Sequence, residues 1–531
     1  MPRPATAGRS SALVAAGILL SRIAGFVRQW VFNKYFGLGS VADALGASFR
    51  IPNLLQNLFG EGVLSASFIP VYARLLAQGR EKEAGKVAGA VAGLLGLVVA
   101  VLVALGVGAT PLVVSALAPG FTGDKRLLTV ALVRILFPAT GILVFSAWCL
   151  GILNSHRKFF LSYAAPVVWN AAIIAAAIAG RHESAGRLAV IIAWGAAVGS
   201  LLQVAVQLPT VLRLARGLRL STGAGDPEVR TVVRNFWPAL VGRGVNQISA
   251  FVDTVISSLL GDDPVGALAN AQLLYTLPVS LFGMSVSAAA LPEMSAAGAP
   301  GGGSSEEERH ALLRGQLEDG LHRIAYFIVP CAMAFLALGQ VLVGALFQTG
   351  RFRAVDSRYV WAILAGSAVG LLASTLSRLS ASTFYALGDT RTPLRYAVVR
   401  VALTTALGFL CAVPLPPLLG LAPKWGAVGL TASAGFSAWV EFALLRRALA
   451  ARIGATYFAP GYLLKLWGSA LAAGAAGFAL WRLAAGLGPV ATGAVVLVPY
   501  ALLYGGMTLA LRIPAARAVA AWRPGRGGGR A

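Results

Sequence analysis

Apolar runs of about 20 residues recur down the whole chain between short polar or basic breaks, and a helix of that length crosses roughly 30 Å of hydrocarbon. They predict spans near 12–36, 41–72, 85–117, 127–152, 159–180 and 187–212. After a basic linker at 213–234, further spans are predicted near 235–260, 265–291, 321–347, 358–386, 393–415, 425–450, 460–484 and 488–511. This is the pattern of an all-α polytopic membrane protein with about fourteen transmembrane helices.

The pattern also repeats. Laying 42–70 on 265–293 sets ADALGASFRI against VGALANAQLL and LFG at 58–60 against LFG at 281–283; ILNSHRKF at 152–159 is echoed by ALGDTRTP at 386–393. The expected organisation is two pseudo-twofold-related six-helix lobes, 1–220 and 221–455, with a site between them as in transporters. A helix pair at 456–515 and a basic cytoplasmic tail at 516–531 follow. The loop 293–320 reads first as a plain flexible linker, although Glu306 to Glu308 would suit a helix start.

Polar positions inside the apolar runs carry the candidate chemistry. Residues 21–70 include Arg22, Arg28, Asp43, Arg50 and Glu61, and a charge at membrane depth is costly enough to mark a protein cavity or path. If 41–70 is mainly one helix, steps of about 100° bring Asp43, Arg50, Asn57 and Glu61 close to one face. Pro52 and Gly60 predict a bend in that helix beside a hydrated chamber. Arg22 and Arg28 lie about 120° apart on the preceding helix, so at most one points straight at the stripe.

In the seventh span Arg243 lies about 13 Å beyond Arg234 and so deep in the membrane, with Asn246, Gln247, Thr254 and Ser257 extending its face. Asp253 is read first as the structural partner of a neighbouring arginine and second as a site for a coupling proton or Na⁺. Arg378 is divided between interface anchoring and a substrate role. Glu441 is expected to pair locally with Arg446 or Arg447.

Composition agrees with a membrane protein. The 531 residues are 57% hydrophobic and only 12% charged, with mean hydropathy +0.75, which excludes a soluble core. The net charge of +24 is spread over short loops rather than one face or arm, so it reads as a topology signal and not as a nucleic-acid surface. Counted that way, both termini are cytoplasmic. Cys149, Cys331 and Cys411 lie far apart in apolar runs and read as small buried hydrophobes. His156, His182, His310 and His322 fall in loops or at expected helix ends without metal spacing. Asp262 and Asp263, followed by Pro264, read as a turn with capping residues. No nucleophile, phosphate loop or cofactor box is visible, so neither an enzyme nor a resident metal is expected.

The runs SRIAGFVR, ADA and IPNLLQNLFGEGVLSASFIP, followed by ILNSHRKFFLSYAAP, NQISAFVDT, LPVSLFG, LFQTGRF and FYALGDTRTPLRYA, resemble the MurJ/MviN lipid II flippases of the multidrug/oligosaccharidyl-lipid/polysaccharide exporter superfamily. The resemblance covers essentially the full length. It implies a fourteen-helix transporter of the bacterial cytoplasmic membrane that moves undecaprenyl-diphosphate-linked peptidoglycan precursor to the outer leaflet by alternating access. The expected partners are lipid II and membrane lipids, with a monomer working near the cell-wall synthesis machinery; the last two helices would shape a lipid groove. Coupling to membrane potential, H⁺ or Na⁺ is expected in place of a cofactor.

The resemblance and the polar pattern together name Arg22, Arg28, Asp43, Arg50, Asn53, Asn57, Glu61, Arg243, Gln272 and Arg378 as candidate substrate-binding residues, with Asp253 for an ion. The chain departs from the family at Gln56 and Asn57, where many members carry two basic residues, and at Gln272 and Leu273, where they carry an Asp-Arg pair. Arg243 is the expected replacement for that missing arginine. The alternatives are a flippase for another polyprenyl-linked glycan and an ion-coupled multidrug antiporter of the same superfamily. The buried arginines favour an anionic substrate over a cationic drug.

Overall fold

The structure, a computed structural model, describes residues 4–221, 223, 225–298, 305–484 and 486–521. The described residues are overwhelmingly helical and include no strand. They form two compact units, Met1–Gly266 with Thr349–Phe352, and Ala267–Gln348 with Arg353–Ala531.

The first unit comprises α1 (Pro4–Phe36), α2 (Ser40–Phe59), α3 (Glu61–Ser67), α4 (Ile69–Ala77), α5 (Glu81–Gly108), α6 (Thr110–Leu117), α7 (Gly123–Ser155), α8 (Phe159–Ala179), α9 (Ala185–Leu214) and α10 (Pro227–Ser258). The expected single helix over 41–72 is cut into three. Gly60 makes the first break, and a Cβ there would lie 2.1 Å from the Gln56 carbonyl oxygen, so only glycine fits. The apolar faces of α7, α8 and α9 bury Leu132, Leu136, Ile173, Ile192 and Ala196 against α1 and α2. Trp148 donates its indole N–H to the Ala88 carbonyl at 3.1 Å, tying α7 to α5.

The basic linker is shorter than expected, because Pro227 at the first turn and the Asp226 side chain, which accepts from the Glu228 amide, start α10 early. Its remainder lies along α5. Gly85, Gly89 and Gly93 pass so close to the Arg216, Arg219 and Ser221 carbonyls that a Cβ at each would meet them at 2.1, 2.1 and 2.3 Å. α10 packs on α2 and α3 within the first unit, with the Phe59 and Phe236 ring centres 5.7 Å apart.

The second unit continues α11 (Pro264–Pro278), a π-helical turn (Val279–Met284), α12 (Ser285–Gly298), α13 (Glu306–Ala337), α14 (Gly339–Phe347), α15 (Ala354–Ala368), α16 (Leu371–Ala386), α17 (Arg391–Ala412), α18 (Leu415–Leu418), α19 (Gly426–Ile453), α20 (Tyr462–Leu483), α21 (Pro489–Ala510) and α22 (Pro514–Ala521). The plain-linker reading of 293–320 fails at Ser305, whose hydroxyl and Glu308 form a capping box that starts α13. His310 and His322 therefore lie within a helix rather than at its edge. Pro330 has no N–H to give the Tyr326 carbonyl, and the Tyr504 hydroxyl donates to that oxygen instead at 2.8 Å, fastening α21 to α13.

Among the described residues, ten helices are long and apolar enough to cross a membrane, or eleven when α15 and α16, bent by 42°, count as one. The expected spans at 12–36, 41–72 and 235–260 are not among them. Each of those three carries charges singled out above. Cys149 is buried and Cys331 and Cys411 half-buried, all as free thiols.

Candidate functional site

The candidate residues of the first unit gather where α2 meets α10, and α1 meets α8. Pro227 to Ser258 runs antiparallel to Ser40–Phe59, and polar side chains meet along the shared face. Arg50 donates to the Thr254 hydroxyl at 3.1 Å and lies within electrostatic reach of Asp253. Seven residues further along α2, Asn57 donates its amide to Gln247 at 2.9 Å. The seven-residue spacing read from the sequence thus places Arg50 and Asn57 on one face.

Asp43, at the other end of that face, is fully buried. One carboxylate oxygen accepts from Lys125 Nζ at 2.8 Å and from the Asp263 amide at 3.0 Å; the other accepts from the Gly266 amide at 2.7 Å. Lys125 also reaches Asp262 at 2.9 Å. Asp263 has φ of 89°, a left-handed turn that Asp tolerates better than most side chains. The turn expected at 262–263 is therefore the lid of a small ion cluster. Asp43 has no exposed surface and its oxygens are already engaged, which suits a latch more than a ligand.

Arg28 has different surroundings. Its guanidinium carbon stands 5.0 Å from the Trp169 ring centre, 5.8 Å from Phe49 and 5.9 Å from Phe32. Among the described residues no carboxylate pairs with it, and its buried Nε has no acceptor. Arg22 is exposed, as is Asn53, so of the two α1 arginines it is Arg28 that enters the packed interior. The side chains of Glu61 and Arg243 lie outside the described residues, and with them the proposed replacement of the family's missing arginine.

In the second unit Gln272 is half-buried on α11 and Arg378 exposed on α16. The two helices are joined by Tyr275 and Ser374, whose hydroxyls lie 2.8 Å apart. Glu441 pairs with Arg400 on α17 at 3.4 Å, not with Arg446 or Arg447. Five or six residues along a helix turn those arginines away from Glu441, and Arg446 donates to the Thr456 carbonyl instead. Arg378 also lies within electrostatic reach of Glu441.

Three residues escaped the sequence reading: Lys125, Trp169 and Arg400. Each is a partner to a residue that was named, and each sits on a different helix, where spacing along one element gives no signal.

Arg50 and Lys125 have anionic or hydroxyl partners, whereas the buried Nε of Arg28 has none among the described residues. Among the described residues no group of three His, Cys, Asp or Glu could hold a metal.

The family described as lipid II flippase MurJ matches residues 32–499. A lipid II flippase MurJ of Burkholderia cenocepacia is 32% identical over 518 residues, covering 94% of this chain and 96% of that one. A probable lipid II flippase MurJ of Bdellovibrio bacteriovorus is 31% identical, covering 82% and 81%. Among solved structures, a lipid II flippase MurJ in an inward closed conformation superposes with a TM-score of 0.76 at 20% identity, covering 94% of this chain and 99% of that chain. An inward-facing multidrug resistance MATE transporter of the MOP superfamily superposes at 0.64 and 16% identity, over 81% and 95%. At such identities the structures speak for the fold, while the sequence match carries the family. With a match running from the end of α1 to α21 and a relative aligned over nearly its whole length, the chain belongs to the lipid II flippase MurJ family.

Proposed function

We propose that this protein translocates lipid II, the undecaprenyl-diphosphate-linked peptidoglycan precursor, from the cytoplasmic to the outer leaflet of the bacterial inner membrane by alternating access. The observation that supports it most is family membership over nearly the full length. The chemistry agrees with it, since Arg28 lacks a carboxylate partner among the described residues and a diphosphate supplies paired oxygens that an arginine grips with parallel hydrogen bonds. Arg50, Asn57 and Asp253 line the same polar stretch of the unit. Asp253 is the candidate for coupling to Na⁺ or H⁺, with membrane potential the other source of drive. Loop charge supports cytoplasmic termini, and the protein works as a monomer beside the cell-wall synthesis machinery.

The test is outer-leaflet exposure of lipid II in cells depleted of their own flippase and supplied with this chain. Wild type restores exposure and growth, and Arg28→Ala at equal membrane level does not. Failure of well-expressed wild type would move the substrate to another polyprenyl-linked glycan or to a drug.

A further inference from the structure

Trp169, on α8, is not among the polar residues that mark the path, yet its indole makes the closest ring contact to Arg28, 5.0 Å from ring centre to guanidinium carbon. Three features fix the indole in place. Its N–H donates to the Ala196 carbonyl on α9 at 3.1 Å, and Phe49 meets it edge to face, 6.2 Å between centres at 77°. The space it occupies depends on Gly199, where a Cβ would come 3.1 Å from the indole Cδ1 and 3.0 Å from the Trp169 carbonyl oxygen. A side chain held by a hydrogen bond, a ring contact and a glycine-made gap does not drift.

A guanidinium has two chemistries at right angles. Its faces stack on aromatic rings through cation–π attraction, and its N–H groups donate in its own plane. Trp169, Phe49 and Phe32 surround the Arg28 guanidinium with rings, which accept no in-plane hydrogen bond from it, and its buried Nε has no acceptor. Burying an arginine in a span without an anion is costly. A cage of rings that stabilises the cation without supplying a carboxylate is what an anion receptor needs, because a carboxylate partner would compete with the substrate.

We propose that Trp169 is a positioning residue for the substrate: its indole, anchored to α9, holds the Arg28 guanidinium in the orientation in which its N–H edge takes a lipid-linked diphosphate. The proposal rests on the flippase reading for the identity of the full substrate, and on the cage geometry alone for the anion.

The experiment titrates farnesyl diphosphate into detergent-purified wild type, Trp169→Leu, Trp169→Phe, Arg28→Ala and the Arg28→Ala/Trp169→Leu double variant, with thermal unfolding of each measured alongside. The expected result is that Trp169→Leu binds about tenfold more weakly than wild type. Trp169→Phe, which keeps a ring face but loses the anchor to Ala196, binds about threefold more weakly. In the Arg28→Ala background the change at position 169 has no further effect. An equal loss in both backgrounds would make Trp169 a packing residue and overturn the proposal, as would wild-type binding by Trp169→Leu. Should Trp169→Leu not fold, Trp169→Phe alone and combined with Arg28→Ala decides by the same comparison. Farnesyl diphosphate binding without rescue of flippase-depleted cells sinks the lipid II reading and leaves the cage. Absence of binding by wild type sinks the cage, whether or not cells are rescued.

Discussion

Asn57 on α2 donates its side-chain amide to Gln247 on α10 at 2.9 Å, two helical turns from the Arg50–Thr254 contact on the same faces. Both groups are half-buried neutral amides, so removing one strands the other. Asn57→Leu is expected to destabilise the protein by about 1–2 kcal/mol, and adding Gln247→Leu to recover most of that loss. Thermal or denaturant unfolding of the two single variants and the double variant measures it. Additive losses would mean the two amides do not depend on each other.

The Asp43–Lys125–Asp262 cluster sorts its members by depth. Asp43 is fully buried and Lys125 nearly so, whereas the Asp262 side chain is 64% exposed. Asp43→Asn leaves a lysine and two amides facing a weaker acceptor, and an expected loss of roughly 3 kcal/mol follows. Asp262→Asn should cost under about 0.5 kcal/mol. Comparable losses in the two variants would contradict the ordering by burial.

Asp389, in the turn before α17, accepts from the Thr392 amide and hydroxyl and the Arg391 amide, with Arg452 2.6 Å away. These partners, the Thr392 amide foremost, hold its carboxyl down at about 2 against an ordinary 3.8. A lowered value in the folded state means stabilisation that is present above the ordinary value and disappears as pH falls through about 2. Wild type should therefore unfold later than Asp389→Asn above about pH 4, with the two curves converging toward about pH 2. A gap that stays constant with pH would assign the effect to something other than the carboxylate charge.

The linker beyond α9 should come loose when its seat is filled. Valine at position 89 would drive a side chain into the Arg219 carbonyl, 2.1 Å from the added Cβ. Trypsin cleavage after Arg216 or Arg219 is then expected to rise about tenfold over wild type at equal temperature. An unchanged digestion pattern would show that the linker does not depend on the glycine seat.

Much of this arrangement was legible in the sequence for a simple reason: membrane spans announce themselves by length and apolarity, and the bend at Gly60 and the cap at Glu306 have local chemical signatures. Arg50 and Asn57 could be placed on one face because the helix repeat carries over two turns. Partners were another matter. Lys125 lies 82 residues from Asp43, on a different helix, where spacing along one element gives no signal. Glu441 looked paired with Arg446 because proximity in sequence was mistaken for proximity around a helix. Trp169 did not stand out because an aromatic in an apolar span is ordinary until the guanidinium beside it is seen. The early start of α10 was missed for the same reason in reverse, since its first turn is polar and the apolar run that marks the span begins later.

The even spacing of the contacts between α2 and α10 has one more consequence. Sliding α10 by a single turn, about 5.4 Å, would set either Arg50 or Asn57 against Ala250 or Phe251, depending on direction. In neither case would both keep a polar partner. The two helices thus mesh like a rack with widely set teeth, in which small slips are penalised at both ends at once. The first unit carries its own register lock, and movement within it is cheaper as a bend at Gly60 than as a glide of α10 along α2.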